Sequence, residues 1–498
     1  MSSDLPEQIK QRVAHFAQEV DRRLAGWSAA HDATAFRQME LEVAAEARKL
    51  SDEISAAILR DIAATPKLQA SAQAAVRTTG RYLHGGRRTV TVRLLGGGST
   101  QVAVEYLRRD RRGRPGRRRK SRRRGKAGAG VYPVLIALGI WCGVTPALAG
   151  EVCRQVADSD SVRAGRAALD RRGIDLGHKQ TLRVVNRFSA RAVEQRDRWL
   201  QEARQAVARR GPLHGKRVVV ASDGGRLRER RPARRGRRRT ETGHRRYDAP
   251  WREPKLFTIY VIDRDGKVES TFQPVYDGTL GDCDALFQML LGYLKALGAH
   301  EAHQLIFLGD GAKWIWDRTG DLARQLGVDE SRVQEVIDWC HAVAVLHQIA
   351  DARVRWTQPE RDRWVRRTKK LLHAGNVTAV VAAIDALAVG RKAKEISQHR
   401  DYFTRNAARM QYSTFVAANV PTGSGAIESA IRRVINMRMK SNGMFWLEVN
   451  AQGMLLLRSY LKADRFDALV DWSIASAAPW HVSPGEPTSS PVAARPAS

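Results

Sequence analysis

The chain is expected to be an α/β protein. Its core should be a mixed β-sheet flanked by helices and interrupted by an all-helical insertion. A mainly helical region with one β-hairpin should precede that core. Three observations predict this. From Lys216 onward, strand-like apolar runs and helical stretches follow the order β-β-β-α-β-α-β-α. Between residues 352 and 404 the pattern is polar and helical, with no strand signal. Before residue 210, helical periodicity dominates, apart from one alternating stretch at 88–107.

The elements follow in chain order. In residues 1–87, Val13, Phe16, Val20 and Leu24 recur at helical spacing. From Thr34 to Ala64, Met39, Leu41, Leu50, Ile54, Ile58 and Ile62 repeat the pattern. This is expected to be a helical hairpin packed on itself, or else an arm for dimerisation or DNA-end binding. In residues 88–130, Val90, Val92 and Leu94 alternate with polar positions, then GGGS, then Val102, Val104 and Tyr106, which reads as a β-hairpin. The run from Arg108 to Lys126 is an arginine-rich arm whose density suits phosphate neutralisation, with Arg117, Arg118, Arg119 and Arg122 as candidate contacts. Residues 131–210 are helical again. Ser161–Arg172, a turn holding Gly173 and Gly177, and His178–Phe188 resemble a helix-turn-helix, in which Thr181, Arg183 or Asn186 would face DNA.

The core is expected to begin at residue 211 and run to 351. KRVVVASDGGRL is a buried strand ending in Asp223. A basic insert spans Arg228–Arg246 and includes Arg237 and Arg238. KLFTIYVID is the second strand, DRDG a turn and KVESTFQPVY the third strand. A helix from about Asp284 to Leu297 follows, then QLIFLGDGA ending in Asp310, a helix beginning at DLARQLG, the strand VQEVIDWCH and the helix HAVAVLHQIA. Residues 352–404 form the helical insertion and 405–475 the last helices of the core. Residues 476–498 are Pro-, Ser- and Ala-rich and are expected to be a disordered tail.

Composition limits the function. The 498 residues suggest about two to four domains. The 43% hydrophobic content excludes wholesale disorder. A formal charge of +33 argues against an ordinary charge-balanced metabolic enzyme and points to a polyanionic partner, foremost nucleic acid. Cys142, Cys153, Cys283 and Cys340 form no CxxC pair, so neither a disulfide framework nor a zinc finger is expected, and a reducing, cytoplasmic setting follows. MSSDLPEQIKQ has no apolar signal-peptide core, and the longest apolar run, Val134–Val144, is too short to span a bilayer. No membrane association is expected, and no GxxxxGK[ST] phosphate loop is present.

Asp223 and Asp310 each end an apolar strand and precede glycine, where α/β sheets place their sites. Glu428 falls in the first turn of the helix in PTGSGAIESAIRRVINMRMK. Two strand-end aspartates and one helical glutamate suit a pair of hard divalent cations about 3.5–4 Å apart, the arrangement that activates a nucleophile and stabilises a leaving oxygen in phosphodiester chemistry. Asp263 and Asp265 compete with Asp223 as the first acid, although DRDG reads better as a hairpin turn. Trp314 and Trp316 read as core or wedge residues, or as a surface for a flipped base. Arg432 lies four residues after Glu428, so it can pair with it or meet the DNA backbone; Arg433, Arg438 and Lys440 continue a basic stripe suited to phosphates. WREPK (Trp251–Lys255) reads as structural.

Four blocks carry a resemblance: GDGAKWIW (Gly309–Trp316), IDWCHA (Ile337–Ala342), GSGAIESAIRRVINMRMKSNGMFW (Gly423–Trp446) and NAQGMLLLR (Asn450–Arg458). They resemble the DDE transposases of bacterial insertion sequences, in the group related to eukaryotic Mutator elements, across roughly residues 217–462. The resemblance implies an RNase H-like fold with a helical insertion before the third acid. It implies Asp223, Asp310 and Glu428 as the catalytic, metal-holding acids, with Mg²⁺, or Mn²⁺, as cofactor. It also implies a Cys/Asp-x-x-His element, here Asp338 to His341, whose histidine contacts the scissile phosphate or supports a metal ligand; a buried histidine at a strand-to-helix junction is the plainer alternative. The expected activity is cleavage at element ends followed by strand transfer into target DNA. The expected partners are double-stranded DNA and a homodimer or higher synaptic complex, and the location is the bacterial cytoplasm, on the nucleoid when bound. An RNase H-like nuclease or resolvase without strand transfer, or a DNA-binding derivative without catalysis, would share these features.

Overall fold

A computed structural model describes residues 4–27, 32–110, 130–232 and 247–475. Arg117, Arg118, Arg119 and Arg122 of the arginine-rich arm, Arg237 and Arg238 of the basic insert, and the tail 476–498 lie outside the described residues. The chain divides into two compact units: residues 4–192 with 466–475, and residues 193–465. No described helix is long and apolar enough to cross a membrane.

In the first unit, helices α1 (Leu5–Trp27) and α2 (Ala33–Ala64) form the expected helical hairpin. Asp32 caps α2 by accepting the Thr34 and Ala35 N–H groups at 2.8 Å. The helices are tied by Arg23 to Glu42 and Glu46 (2.9 and 2.8 Å) and by Arg12 to Glu53 (3.1 Å). After α3 (Pro66–Thr78) comes the β-hairpin, longer than the alternation suggested: β1 (Tyr82–Arg93) and β2 (Ser99–Arg109) pair antiparallel, with Val90 opposite Val102. Val92, Val102 and Val104 point into a core shared with Ala63, Ala72, Val134 and Leu135.

The hairpin turn is fastened to α2. Buried Asp52 accepts the Gly96 and Gly98 N–H groups at 2.8 and 2.7 Å. Between them Gly97 has φ +100°, and a Cβ there would overlap the Gly173 carbonyl. Gly97→Ala is therefore expected to cost about 1–3 kcal/mol for the backbone conformation alone, plus the clash. Chemical denaturation should show an earlier midpoint with an unchanged slope.

Helices α4 (Pro133–Ala137), α5 (Pro146–Asp158), α6 (Val162–Asp170) and α7 (His178–Gln205) follow. Of the residues expected to read DNA from a helix-turn-helix, Thr181 is not placed to do so. The second helix runs 28 residues rather than ending at Phe188, and Thr181 is fully buried, its hydroxyl bonded to the Gly177 carbonyl. Its side chain has no route to a base edge. Arg183 is exposed and Asn186 half-buried.

The second unit is built on a five-stranded mixed sheet. Its strands are β3 (Arg217–Gly224), β8 (Lys255–Ile262), β9 (Val275–Thr279), β10 (Gln304–Gly309) and β11 (Val333–Ile337), in spatial order β11-β10-β3-β8-β9. β3, β8 and β9 form an antiparallel meander, while β10 and β11 run parallel to β3. Every residue of β8 is buried, as its continuous apolar run requires in a central strand. Between β3 and β8 the chain makes two short ladders, β4 (Leu227–Arg228) with β7 (Trp251–Arg252) and β5 (Arg231–Pro232) with β6 (Tyr247–Asp248).

Two boundaries differ from expectation. KVESTFQPVY was expected to be a strand throughout, but β9 starts only at Val275. Pro274 has no N–H to give the ladder, so regular pairing with β8 begins after it, and 267–274 are turn, bend and irregular chain apart from a single bridge of Val268 to Ile262. The helix expected from Asp321 begins at Lys313 instead. Gly311 (φ +91°) turns the chain, and Ile315, Trp316, Thr319, Leu322 and Leu326 are then buried at helical spacing.

The helices are α8 (Cys283–Ala296), α9 (Lys313–Leu326) and α10 (Trp339–Ala352). Next are α11 (Gln358–His373), α12 (Val377–Asp385), α13 (Ala393–Arg405) and α14 (Tyr412–Ala417). A helix of three parts follows: α15 (Gly425–Ile431), a π-helical segment Arg432–Asn436 and α16 (Met437–Met439). α17 (Glu448–Lys462) closes the unit, and α18 (Phe466–Ala475) belongs to the first.

Candidate active site

The register of the parallel strands aligns the candidate acids. Leu308 lies opposite Ala221, so two residues further on Asp310 falls level with Asp223. Gly309 lies opposite Ile337, so Asp310 also falls level with Asp338. Three adjacent parallel strands thus end in aspartate at one height, with neighbouring strands about 4.8 Å apart. α15, which carries Glu428, packs on β3 and β8.

The aspartates differ in state. Asp223 is half-buried and takes the Gly224 N–H at 2.6 Å. Burial pushes its carboxyl above the ordinary range; the Gly224 bond pulls it back, the charges of Asp310 and Glu428 raise it further, and His341 opposes them. Asp310 accepts the Ala312 N–H at 2.9 Å, and Tyr402 of α13 donates its hydroxyl to the Asp310 carbonyl at 3.3 Å. The helical insertion therefore reaches the site through Tyr402.

Asp338 is fully buried and caps α10. Its Oδ1 accepts the His341 backbone N–H at 2.6 Å and His341 Nδ1 at 2.9 Å; its Oδ2 accepts the Ser424 N–H. Burial alone would raise this carboxyl, but the His341 and Ser424 bonds outweigh it and hold it below the ordinary range. The bond to Asp338 raises His341 above the ordinary histidine value against partial burial, helped by the charges of Asp338, Asp310 and Asp223. With Nδ1 bound to Asp338, Nε2 is the ring nitrogen left to serve the site.

Glu428 is exposed, and the Ser424 hydroxyl donates to its Oε1 at 2.6 Å. Ser424 thus joins two acids, its amide to Asp338 and its hydroxyl to Glu428. Ligand atoms of Asp338, His341 and Glu428 lie within 4.8 Å of one another. Asp338 is already engaged through both oxygens, so it suits positioning better than ligation. Asp223, Asp310 and Glu428 are not drawn together to that distance among the described residues; what links them is the charge of Asp310 and Glu428 acting on Asp223.

The rival acids are spent elsewhere. Asp263 Oδ1 accepts the Asp265 and Lys267 N–H groups at 2.9 Å, so DRDG is a turn with Gly266 at φ +79°. Trp316 is in the core under Arg409, and Trp314 packs edge-on to Phe287 beneath Lys255. Trp316 is therefore closed to a base, while Trp314 is half-buried.

The basic stripe divides. Arg432 and Lys440 are exposed, and among the described residues Arg432 makes no ion pair with Glu428. Arg433 donates to the Tyr276 hydroxyl at 3.0 Å. Arg438, expected to meet phosphate, is instead buried over the Trp446 ring and beside Met444 sulfur. The π-helical segment shifts the face that each residue presents, which a regular 3.6-residue period does not anticipate. Arg458 of α17, fully buried, takes up two carbonyls of that segment: Val434 at 2.6 Å, and Arg433.

Sequence reasoning missed Ser424, Tyr402 and Arg458 as supports of the site. Ser424 had a visible signal, since it lies in TGSG four residues before Glu428 and so falls on the same helical face. Tyr402 is 92 residues from its partner Asp310 and had none. Comparison with protein-family models, with curated proteins and with solved structures finds no match to this chain.

Proposed function

We propose that the chain is a DDE transposase with an RNase H-like catalytic unit, cutting DNA at the ends of an insertion sequence and joining those ends to target DNA. One observation carries the reading. Asp223 and Asp310 end adjacent parallel strands level with each other, and the charge of Glu428, on a helix packed against β3, is felt at Asp223. A three-stranded antiparallel meander joined to two parallel strands is the sheet expected of an RNase H-like unit. The charge of +33 suits a polyanionic substrate.

Asp223, Asp310 and Glu428 would hold Mg²⁺ or Mn²⁺. Bound there, divalent ions supply Lewis-acid activation of water and charge stabilisation of the leaving oxygen. Ser424 would steady the Glu428 carboxylate through its hydroxyl bond. Asp338 orients His341 so that Nε2 would face the scissile phosphate, and the upward shift favours the charged ring, which can donate from Nε2 to a phosphate oxygen. Tyr402 covers the Asp310 loop.

The test uses purified protein with DNA from the flanks of its own gene, in Mg²⁺ or EDTA. The proposal expects metal-dependent cuts at the element ends and joined products. Cuts without joining would point to a nuclease, and binding without cuts to a DNA-binding derivative.

A companion prediction concerns Asp338→Asn. Its amide would set a donor against the Ser424 N–H, a mismatch costing about 1–3 kcal/mol. Because it disturbs the support of His341, the cleavage rate is expected to fall roughly 10–100-fold, with DNA affinity retained. Single-turnover rates and thermal denaturation measure the two effects.

A further inference from the structure

The WREPK segment has more than a structural part. Among the described residues in and around β4–β7, Trp251, Arg228, Phe445, Tyr247 and Arg230 form a ladder of rings and guanidiniums. Arg228 stands 4.9 Å from the Trp251 ring and 5.9 Å from the Phe445 ring. Phe445 meets Tyr247 edge-on at 5.4 Å, and Arg230 stands 4.4 Å over Tyr247. Trp251 at the end of the ladder is 55% exposed and Tyr247 37%.

The ladder stands on paired backbone. Leu227 and Arg228 pair with Arg252 and Trp251. The segment at Trp446 adds a further bridge: Arg230 N–H donates to the Trp446 carbonyl at 2.7 Å, and Trp446 N–H to the Arg228 carbonyl at 2.9 Å. Buried Glu229 sits beneath, paired with Arg231 at 2.8 Å and Arg252 at 3.7 Å. That carboxylate is occupied. Among the described residues Arg228 and Arg230 meet rings and no acid, so their charge is unspent.

The position is as informative as the composition. β3 runs from Asp223 straight into the ladder, and the helix bearing Glu428 ends at Met439, six residues before Phe445. Arg228 is five residues from Asp223, so the two Cα atoms are at most about 17 Å apart. That is roughly five stacked base steps of about 3.4 Å.

We propose that this ladder is a stacking platform for unpaired nucleotides of the DNA strand next to the cut phosphodiester. Paired bases bury both faces in the duplex stack and have none for Trp251; an unpaired base does. A guanidinium lying over a ring keeps its in-plane N–H groups for phosphate oxygens, so Arg228 and Arg230 can hold the backbone while the rings hold the base. The inference rests on the proposed action on DNA and adds that the cut-site strand is locally unpaired.

The experiment compares a blunt duplex with the same duplex carrying a short oligothymidylate extension, in Ca²⁺, by fluorescence anisotropy. A second probe places 2-aminopurine in the extension, where stacking quenches its emission. Wild type is expected to prefer the extended duplex by about 5–150-fold, the span of one base stack, and to quench the probe. Trp251→Ala should lose most of that preference and the quenching while binding blunt duplex as before; Trp251→Phe should restore most of both. Because Trp251 is exposed, its replacement should leave the thermal midpoint in place. Unchanged preference in Trp251→Ala would overturn the inference, as would a change in oligomeric state with preference intact, which would mark the face as a contact between copies. Wild type that binds blunt duplex with no preference would overturn this inference alone. Wild type that binds no DNA would overturn the proposed function with it.

Discussion

Asp223→Asn, Asp310→Asn and Glu428→Gln should each reduce metal-dependent DNA cleavage by about 10³-fold or more. A bound divalent cation contributes several kcal/mol of transition-state stabilisation, and each 1.36 kcal/mol is about tenfold in rate. The changes preserve shape, so DNA affinity measured in Ca²⁺ should stay within about twofold. Asp223→Asn should also raise stability slightly. Burial and the charges of Asp310 and Glu428 already disfavour its ionised form, so a neutral isostere removes repulsion. A double replacement of Asp310 and Glu428 should be no worse than either single change, since the acids act as a unit. Rates from single-turnover cleavage, with binding from anisotropy, separate these effects. A variant cutting at wild-type rate would remove that residue from the site.

The second large effect is on stability. Arg196 of α7 and Asp277 of β9 are both buried, with Arg196 donating to the two Asp277 oxygens at 3.0 and 3.2 Å. Tyr293 donates to Asp277 Oδ2 at 2.7 Å. Arg196→Ala strands a buried carboxylate, which should cost about 3–5 kcal/mol. At roughly 2–4 °C per kcal/mol for a unit of this size, that predicts a thermal midpoint lower by about 6–20 °C. The triple change Arg196→Met, Asp277→Leu, Tyr293→Phe removes the buried charges and the Tyr293 hydroxyl together, leaving the Gly278 N–H and the Tyr460 hydroxyl without these partners, and should recover part of the loss. Circular dichroism melts distinguish the two. If Arg196→Ala melts with wild type, the buried pair contributes nothing.

The legible parts of this chain were those written in local chemistry. Val102 and Val104 alternate and face a core; Leu5–Trp27 and Ala33–Ala64 carry helical spacing; Asp223 and Asp310 follow apolar runs and precede glycine. Each signal lies within a few residues, which is the range over which period and turn chemistry act. Asp263 was separable from Asp223 because DRDG has its own turn logic, and its carboxylate does bind the turn amides.

The illegible parts depended on tertiary context. Thr181 is polar, yet a buried helix can absorb it once its hydroxyl bonds a carbonyl one turn back. Arg438 reads as surface until a π-helical turn rotates it over Trp446. Nothing near Arg433 or Val434 announces that turn, because the side chain satisfying their carbonyls, Arg458, comes some 25 residues later. WREPK looked structural for the same reason: Trp251 meets Arg228, and only Arg228 reaches on to Phe445, about 200 residues further along the chain. Asp338 is intermediate. Its spacing to His341 was visible, but its burial and its bond to Ser424, which bind it to the third acid, were not.

The measurement that most directly tests the central claim is movement of DNA in cells. A selectable marker is placed between the DNA flanks of this gene, and the chain is supplied in trans as wild type or as Glu428→Gln, each at matched expression. The account predicts marker insertions at new sites with wild type and none with Glu428→Gln. Insertions at equal frequency with both would contradict it.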